Sequence, residues 1–410
     1  MGSGKTTYIK KLINEECANN SNKKYLFVTP YLKQIHYKEY NEEGNVKYEC
    51  GIIHECPKAN FIQPKHLGNG KLENLHDLII NNENIATTHA LFTHATDETY
   101  QLLKINEYTI IIDEVLQLMD TINISLPDYN MLIEQDKISV NEFKEISWID
   151  KEYKGKFEYL KKLCEKGIVI ESIKKDNSKY PVQLLVYNFN PMMFKDYNNQ
   201  MYILTYLFEG SYMYLYFKAH NIDYEKYTIH NNNLVKYNEK LKINKNNFKD
   251  LINIYEGKLN NIGEDYHSLS KTWFETTKNK PLIKQLKKNI FNYLKNINKA
   301  NSNEIMWTTF KDAKSKLQGN GYTKAFVQCA EKGSNEYGNR KHIVYACNRF
   351  FNPDDKIYFK SKGVTVNEDI WALSEMIQFI WRSRIRNGKN IELYIPSSRM
   401  RNLLINWLNS

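Results

Sequence analysis

The residues Gly2-Ser3-Gly4-Lys5-Thr6-Thr7 have the types and order needed to hold phosphate. Glycines let backbone N–H groups close around an anion. Lys5 would then reach the β and γ oxygens of a nucleoside triphosphate, and Thr6 would offer its hydroxyl to Mg2+. Tyr8 to Ile13 read as the start of a helix, whose positive end would face the anion. The first glycine of the full GxxxxGK[ST] pattern, and the strand before it, are expected upstream of Met1.

A second chemical signal is the pair Asp113-Glu114 at the end of the apolar run Tyr108-Thr-Ile-Ile-Ile112. Asp113 would hold Mg2+, mostly through water. Glu114 would orient and deprotonate an attacking water. A solvated strand end is the alternative for such a pair, and Gly4-Lys5-Thr6 upstream favours the functional reading. The third signal is Gln378, Arg382, Arg384 and Arg386, in an otherwise apolar segment. Arginine is always charged and presents a planar fork to phosphate. Such residues could stabilise a transferring phosphoryl group. The alternatives are a nucleic-acid backbone patch or structural ion pairs.

The elements that would position these groups alternate between strand and helix. Residues 25–29 form an apolar strand closed by Pro30, and 31–40 look helical. Residues 84–96 read as a strand and then a helix start, with Thr88 and His89 at the junction. Residues 108–114 hold a continuous apolar run, as a strand buried on both faces requires, and end in two carboxylates. This alternation predicts a parallel α/β sheet with ligands at the strands' carboxyl ends. Residues 120–200 lack the rhythm and read as an insertion with a β-pair near 168–173 and 182–189. Residues 201–211 return to it as another core strand ending in a polar turn. The Asn-rich segment 221–280 reads as a linker and boundary region, and 280–297 as a basic amphipathic helix whose lysines fit a solvated face better than a binding site. A second block follows, with strands expected at 304–308, 324–329, 342–347 and 391–395 and a polar loop at 333–340.

Composition narrows the classes. The 410 residues are 42% hydrophobic and 13% aromatic, enough to build a core and to exclude wholesale disorder. No apolar run approaches the roughly 18 residues of a membrane span, which leads to a cytoplasmic expectation. The six cysteines form no CxxC pair, which fits a reducing compartment. Cys50, His54 and Cys56, with His36 and His66 nearby, do not match a common zinc spacing. The net charge of +10 permits a nucleic-acid partner.

In this order, the motifs resemble those of a superfamily 2 DExH/D-box helicase of the kind found in phages and mobile elements. Gly2 to Thr7 resembles the phosphate loop, and Asp113-Glu114-Val115-Leu116 is similar to the DExx box. Thr29-Pro30 and Thr87-Thr88-His89 look like nucleic-acid contact motifs, and Leu204 to Ser211 resembles the coupling motif. Gln378 to Arg386 resembles the QxxGRxxR finger motif, with Trp381 at the glycine. Counted from Gln378, Arg382 is in place but the seventh position is Ile385. Alternatively the fingers are Arg384 and Arg386.

The resemblance implies two RecA-like parallel-sheet lobes of the P-loop NTPase type, with an insertion in the first. The lobes would be 1–220 and 281–410, with ATP and Mg2+ bound between them. It implies Asp113, Glu114, Gln378, Arg382, Arg384 and Arg386 in catalysis. Gly2, Ser3, Gly4, Lys5, Thr6 and Thr7 would hold the nucleotide, and Thr6 and Asp113 the Mg2+. Thr29, Thr88, His89, Asn335 and Arg340 would contact nucleic acid, single-stranded DNA in preference to RNA. Thr205 and Glu209 would couple the two activities, and replication proteins are conceivable partners. The implied activity is ATP-dependent translocation or unwinding. One alternative is a nucleic-acid-stimulated ATPase that remodels without unwinding. Another is a degenerate helicase fold acting as a binding module.

Overall fold

The computed structural model describes residues 4–19, 22–41, 44–68, 70–142, 144–166, 169–173, 182–238, 246–329 and 336–410. The chain divides into two units. The first comprises Gly4–Lys236 with Asn352–Val366, and the second Tyr237–Phe351 with Asn367–Ser410.

The first unit contains β1 (Tyr25–Thr29), β2 (Tyr37–Tyr40), β3 (Val46–Cys50), β4 (Ile85–Thr88) and β5 (Thr109–Asp113). It continues with β6 (Met119–Ile124), β7 (Ile138–Val140), β8 (Glu145–Trp148), β9 (Val169–Ile173) and β10 (Val182–Tyr187). It ends with β11 (Met201–Leu204), β12 (Tyr227–His230) and β13 (Asn233–Lys236). Its main sheet is parallel, in the order β11-β5-β1-β4. All five residues of β1 and of β5 are buried. That explains their unbroken Leu, Ile, Val and Phe content: both sheet faces are covered. The helix Lys5–Ala18 packs Ile9 and Ile13 against Phe27, Ile111 and Leu204. It thereby brings its N-terminus to the sheet's carboxyl end.

The segment read as an insertion is a separate antiparallel sheet, β6-β10-β9-β8-β7. The expected β-pair is β9 with β10. A core of Tyr129, Leu132, Val169, Val182 and Leu184 lies against it. The hairpin β12-β13 and the helix Pro353–Ser361 also belong to the first unit. Tyr212 anchors that helix by donating its hydroxyl to Asp355 at 2.8 Å.

Three expectations need correction here. Residues 31–40 are not one helix. A single turn, Leu32–Ile35, leads into β2, which pairs antiparallel with β3. Tyr37 and Tyr40 favour a strand once a partner exists. Residues 324–329 form a short turn and one bridge, Trp307 to Phe326, instead of a strand. The Trp307 ring holds them in place, since its Nε1 donates to the Tyr322 carbonyl at 2.8 Å. The segment 221–280 does hold the boundary between the units, at Lys236 and Tyr237, but it is more than a linker: its described residues contribute a hairpin to the first unit and a sheet strand to the second.

The second unit has β14 (Ile252–Ile254), β15 (Ile305–Thr308), β16 (His342–Tyr345) and β17 (Ile391–Tyr394). They form a parallel sheet in the order β14-β17-β16-β15. The helix Lys280–Phe291 buries Ile283, Leu286 and Ile290 against Trp307, Val344 and Tyr394. It runs on as a π-helical stretch, Asn292–Ile297, that buries Tyr293 and Leu294. The helices Glu368–Ile380 and Ser398–Asn409 complete the unit.

One half-buried histidine gives the first unit a pH dependence. His220 packs against Tyr216 and Tyr187, with ring centroids 4.5 and 5.2 Å away. Burial, with Lys362 and Lys195 assisting, pulls its pKa down to about 4. The unfolded chain therefore takes up this proton first, below about pH 6.5. The stabilisation is complete above that pH and is lost as the pH falls through about 4. Discounted for partial exposure, it amounts to about 1–2 kcal/mol. Urea denaturation of wild type and His220→Phe at pH 7 and pH 4.5 checks this. The gap between the two proteins should shift by that amount in favour of the variant at the lower pH.

Candidate nucleotide-phosphate site

The site grows from the start of the helix Lys5–Ala18. Gly4 precedes it with φ +69°, a left-handed conformation that glycine adopts without strain. From there the chain turns directly into the helix, and Tyr8 N–H donates to the Gly4 carbonyl at 2.7 Å. The first N–H groups of a helix have no partner within it and point outward. Thr6 Oγ1 donates to Asp113 Oδ1 at 2.9 Å, joining residues 107 positions apart. Asp113 ends β5 and is 8% exposed. Burial raises its pKa, while the Thr6 hydrogen bond and the Lys10 and Lys5 charges oppose the rise.

Lys5 is half-buried beside these groups. Burial lowers its pKa, and the Glu114 and Asp113 carboxylates act against that. Its Nζ also lies 5.9 Å from the Tyr206 ring centroid. Glu114 is half-buried, with φ +66°. Its N–H donates to the Leu204 carbonyl at 3.1 Å. A non-glycine residue in this region costs about 1–3 kcal/mol and persists where its surroundings fix it. Here the strained turn sets Glu114 just past the end of β5, beside Asp113. His89 Nε2 lies 2.9 Å from the Asp113 carbonyl and fixes the end of β4 to that of β5.

A hydroxyl and a carboxylate therefore converge with an ammonium, a helix N-terminus and a second carboxylate. The two oxygens suit Mg2+, which usually keeps several waters and takes only one or two protein ligands beside substrate phosphates. Thr7 is exposed in the first helical turn. Gly2 and Ser3 lie outside the described residues.

The remaining expected residues divide. Thr29 is fully buried and its hydroxyl is bonded to Gln34. It cannot reach a nucleic-acid strand and leaves that set. The Thr88 hydroxyl accepts from Leu91 N–H at 3.2 Å and caps a short helix. Thr205 is half-buried at the end of β11, and Glu209 is ion-paired with Lys226. In the second unit, Arg340 is half-buried and donates to the Ser302 carbonyl at 3.3 Å, and Asn335 lies outside the described residues. Gln378 Nε2 is 3.4 Å from Ser374 Oγ. Arg382 is 5% exposed and donates to the carbonyls of Gln328 and Cys329 at 3.0 and 3.2 Å. That environment uses its guanidinium to hold the backbone. Arg384 binds the Asn390 backbone and side-chain oxygens at 2.5 and 2.6 Å, and Arg386 is exposed.

Sequence reasoning did not find Tyr206 or Lys10. Tyr206 occupies the coupling-like segment, and the phosphate loop lies far from it in sequence. Lys10 is one helical turn past Thr6 and ion-pairs with Glu55 at 2.7 Å. The spacing from Thr6 to Lys10 was the available signal, since positions four apart share a helix face.

Fold and site together define a mixed α/β protein with parallel sheets and a Rossmann-like C-terminal domain. The model of the YonV C-terminal Rossmann-like domain matches residues 246–408, and that of the YonV middle domain matches 119–173. The chain is 41% identical over 428 residues to the SPbeta prophage-derived uncharacterized protein YonV of Bacillus subtilis (strain 168). The match covers 100% of this chain and 97% of that protein. The chain therefore belongs to the YonV family. Among the described residues, no helix is long and apolar enough to cross a membrane.

Proposed function

We propose that the chain is an ATP-dependent nucleic-acid translocase or helicase whose two units are RecA-like. The observation that carries the reading is the Thr6–Asp113 hydrogen bond beside Lys5 and Glu114. The closeness of Lys5 and Thr6 to Asp113 and Glu114 supports reading them as the phosphate- and Mg2+-holding groups of a P-loop NTPase. In this reading Lys5 and the helix N-terminus bind the phosphates. Thr6 and Asp113 would hold a Mg2+ ion, whose charge would offset that of the phosphate oxygens. Glu114 orients the water and takes its proton. Arg386, exposed in the second unit, is the arginine assigned to the transferring phosphoryl group.

Single-stranded DNA is the favoured track, since the YonV relative is prophage-derived and a prophage is propagated as DNA. Thr88 and His89 lie at the end of β4 in the same sheet as Asp113, so a strand bound there would act on the phosphate site through the His89 contact. The test is ATP turnover by the purified chain with and without single-stranded DNA, followed by displacement of a tailed duplex. DNA-stimulated turnover with displacement supports a helicase. Turnover without displacement supports a remodelling ATPase, and absence of turnover leaves a binding module.

A further inference from the structure

Residues 276–303 contain seven lysines, Lys278, Lys280, Lys284, Lys287, Lys288, Lys295 and Lys299, and no acidic residue. The whole chain has an excess of only ten positive charges, so this stretch concentrates most of it. Lys280, Lys284, Lys287 and Lys288 share the outer side of the helix Lys280–Phe291, spanning about 100° of arc. All four are exposed, and none has an ion-pair partner among the described residues. Like charges three and four positions apart weaken a helix. Folding therefore gives no reason for this arrangement, whereas a polyanion does.

The ridge also separates two grooves. One, of about 740 Å³, is lined by Lys284, Lys288, Phe291, Asn292, Asn296 and Asn320. The other, of about 430 Å³, is lined by Glu275, Thr277, Lys280, Lys284, Lys287 and Lys316. Phe291 is 38% exposed and offers a ring for base stacking. The neighbouring amides can hydrogen-bond the edges of unpaired bases. The geometry points to a single-stranded DNA docking surface along the helix Lys280–Phe291, with phosphates on the lysine ridge and bases in the larger groove. The choice of DNA rests on the reading given under Proposed function. The surface is separate from the phosphate site and would act as a second hold on the strand.

The experiment measures nucleotide-free binding of the full chain to a fluorescent oligothymidylate between about 50 and 200 mM salt. The variant is Lys284→Gln/Lys287→Gln/Lys288→Gln, since glutamine matches lysine in helix propensity. Expected is a loss of about 10- to 100-fold in affinity at low salt, with the salt slope reduced by about 2. The variant's melting temperature should equal or exceed that of wild type. The control, Lys58→Gln/Lys71→Gln/Lys162→Gln, removes the same charge from the first unit and should change binding less than threefold. Equal losses in both triple variants would reduce the surface to net charge and overturn the proposal. Tighter binding of polyglutamate or of oligouridylate than of the DNA would also overturn it, in favour of an acidic protein or RNA. Lys5→Ala separates the two readings: it should leave this nucleotide-free binding intact even where it abolishes ATP turnover.

Discussion

Lys5→Ala should lower ATP turnover by about 10³-fold, and Glu114→Gln by about 10²- to 10⁴-fold, for different reasons. Lys5 is the half-buried cation beside Asp113 and Glu114. Its removal leaves two carboxylates facing the incoming phosphates with less positive charge to offset them, the Lys10 charge remaining. Nucleotide affinity and turnover should therefore fall together. Glu114→Gln keeps the shape of the strained turn and removes the group assigned to take the proton from water. Here turnover should fall while nucleotide affinity stays within a few-fold of wild type. A fluorescent ATP analogue gives the affinities and single-turnover hydrolysis gives the rates. Turnover unchanged in both variants would place the hydrolysis elsewhere and remove the ATPase reading of the first unit.

Much of the candidate site was legible because its parts are local. Gly4-Lys5-Thr6 is a contiguous turn and helix start, and Asp113-Glu114 is a contiguous strand end. A strand buried on both faces needs a run of apolar residues, so Leu26-Phe27-Val28 of β1 and Ile110-Ile111-Ile112 of β5 showed through an Asn- and Lys-rich composition. β14 did not. Three residues, Ile252–Ile254, carry no measurable period. They become a strand only because β17 pairs with them. The aromatic contacts were hidden for a related reason. Trp307 organises residues 322–326 by ring packing and a hydrogen bond to a carbonyl, neither of which leaves a pattern along the chain. Thr29 misled because strand ends of this kind present threonine both outward and inward. Full burial under Gln34 decides that it points inward.

Spacing left open which arginine serves as the finger, and burial turns that question into a measurement. Arg382→Ala should lower the melting temperature of the second unit by about 6–15 °C, from a loss of about 3–5 kcal/mol. Two carbonyls, of Gln328 and Cys329, would lose their donor at a position 5% exposed. Each such orphan costs about 1–3 kcal/mol, and the space beside Phe379 adds to it. Below its melting range, the remaining folded Arg382→Ala protein should hydrolyse ATP at nearly the wild-type rate. Arg386→Ala should behave in the opposite way. Its side chain is exposed, so the melting temperature should stay within about 2 °C, since surface substitutions cost about 0.5 kcal/mol or less. Turnover should drop by about 10³-fold if it serves as a finger. Calorimetry and single-turnover hydrolysis on the same preparations read both axes. A stable but inactive Arg382→Ala with an active Arg386→Ala would select the other register, in which a guanidinium now holding backbone must be released to reach phosphate.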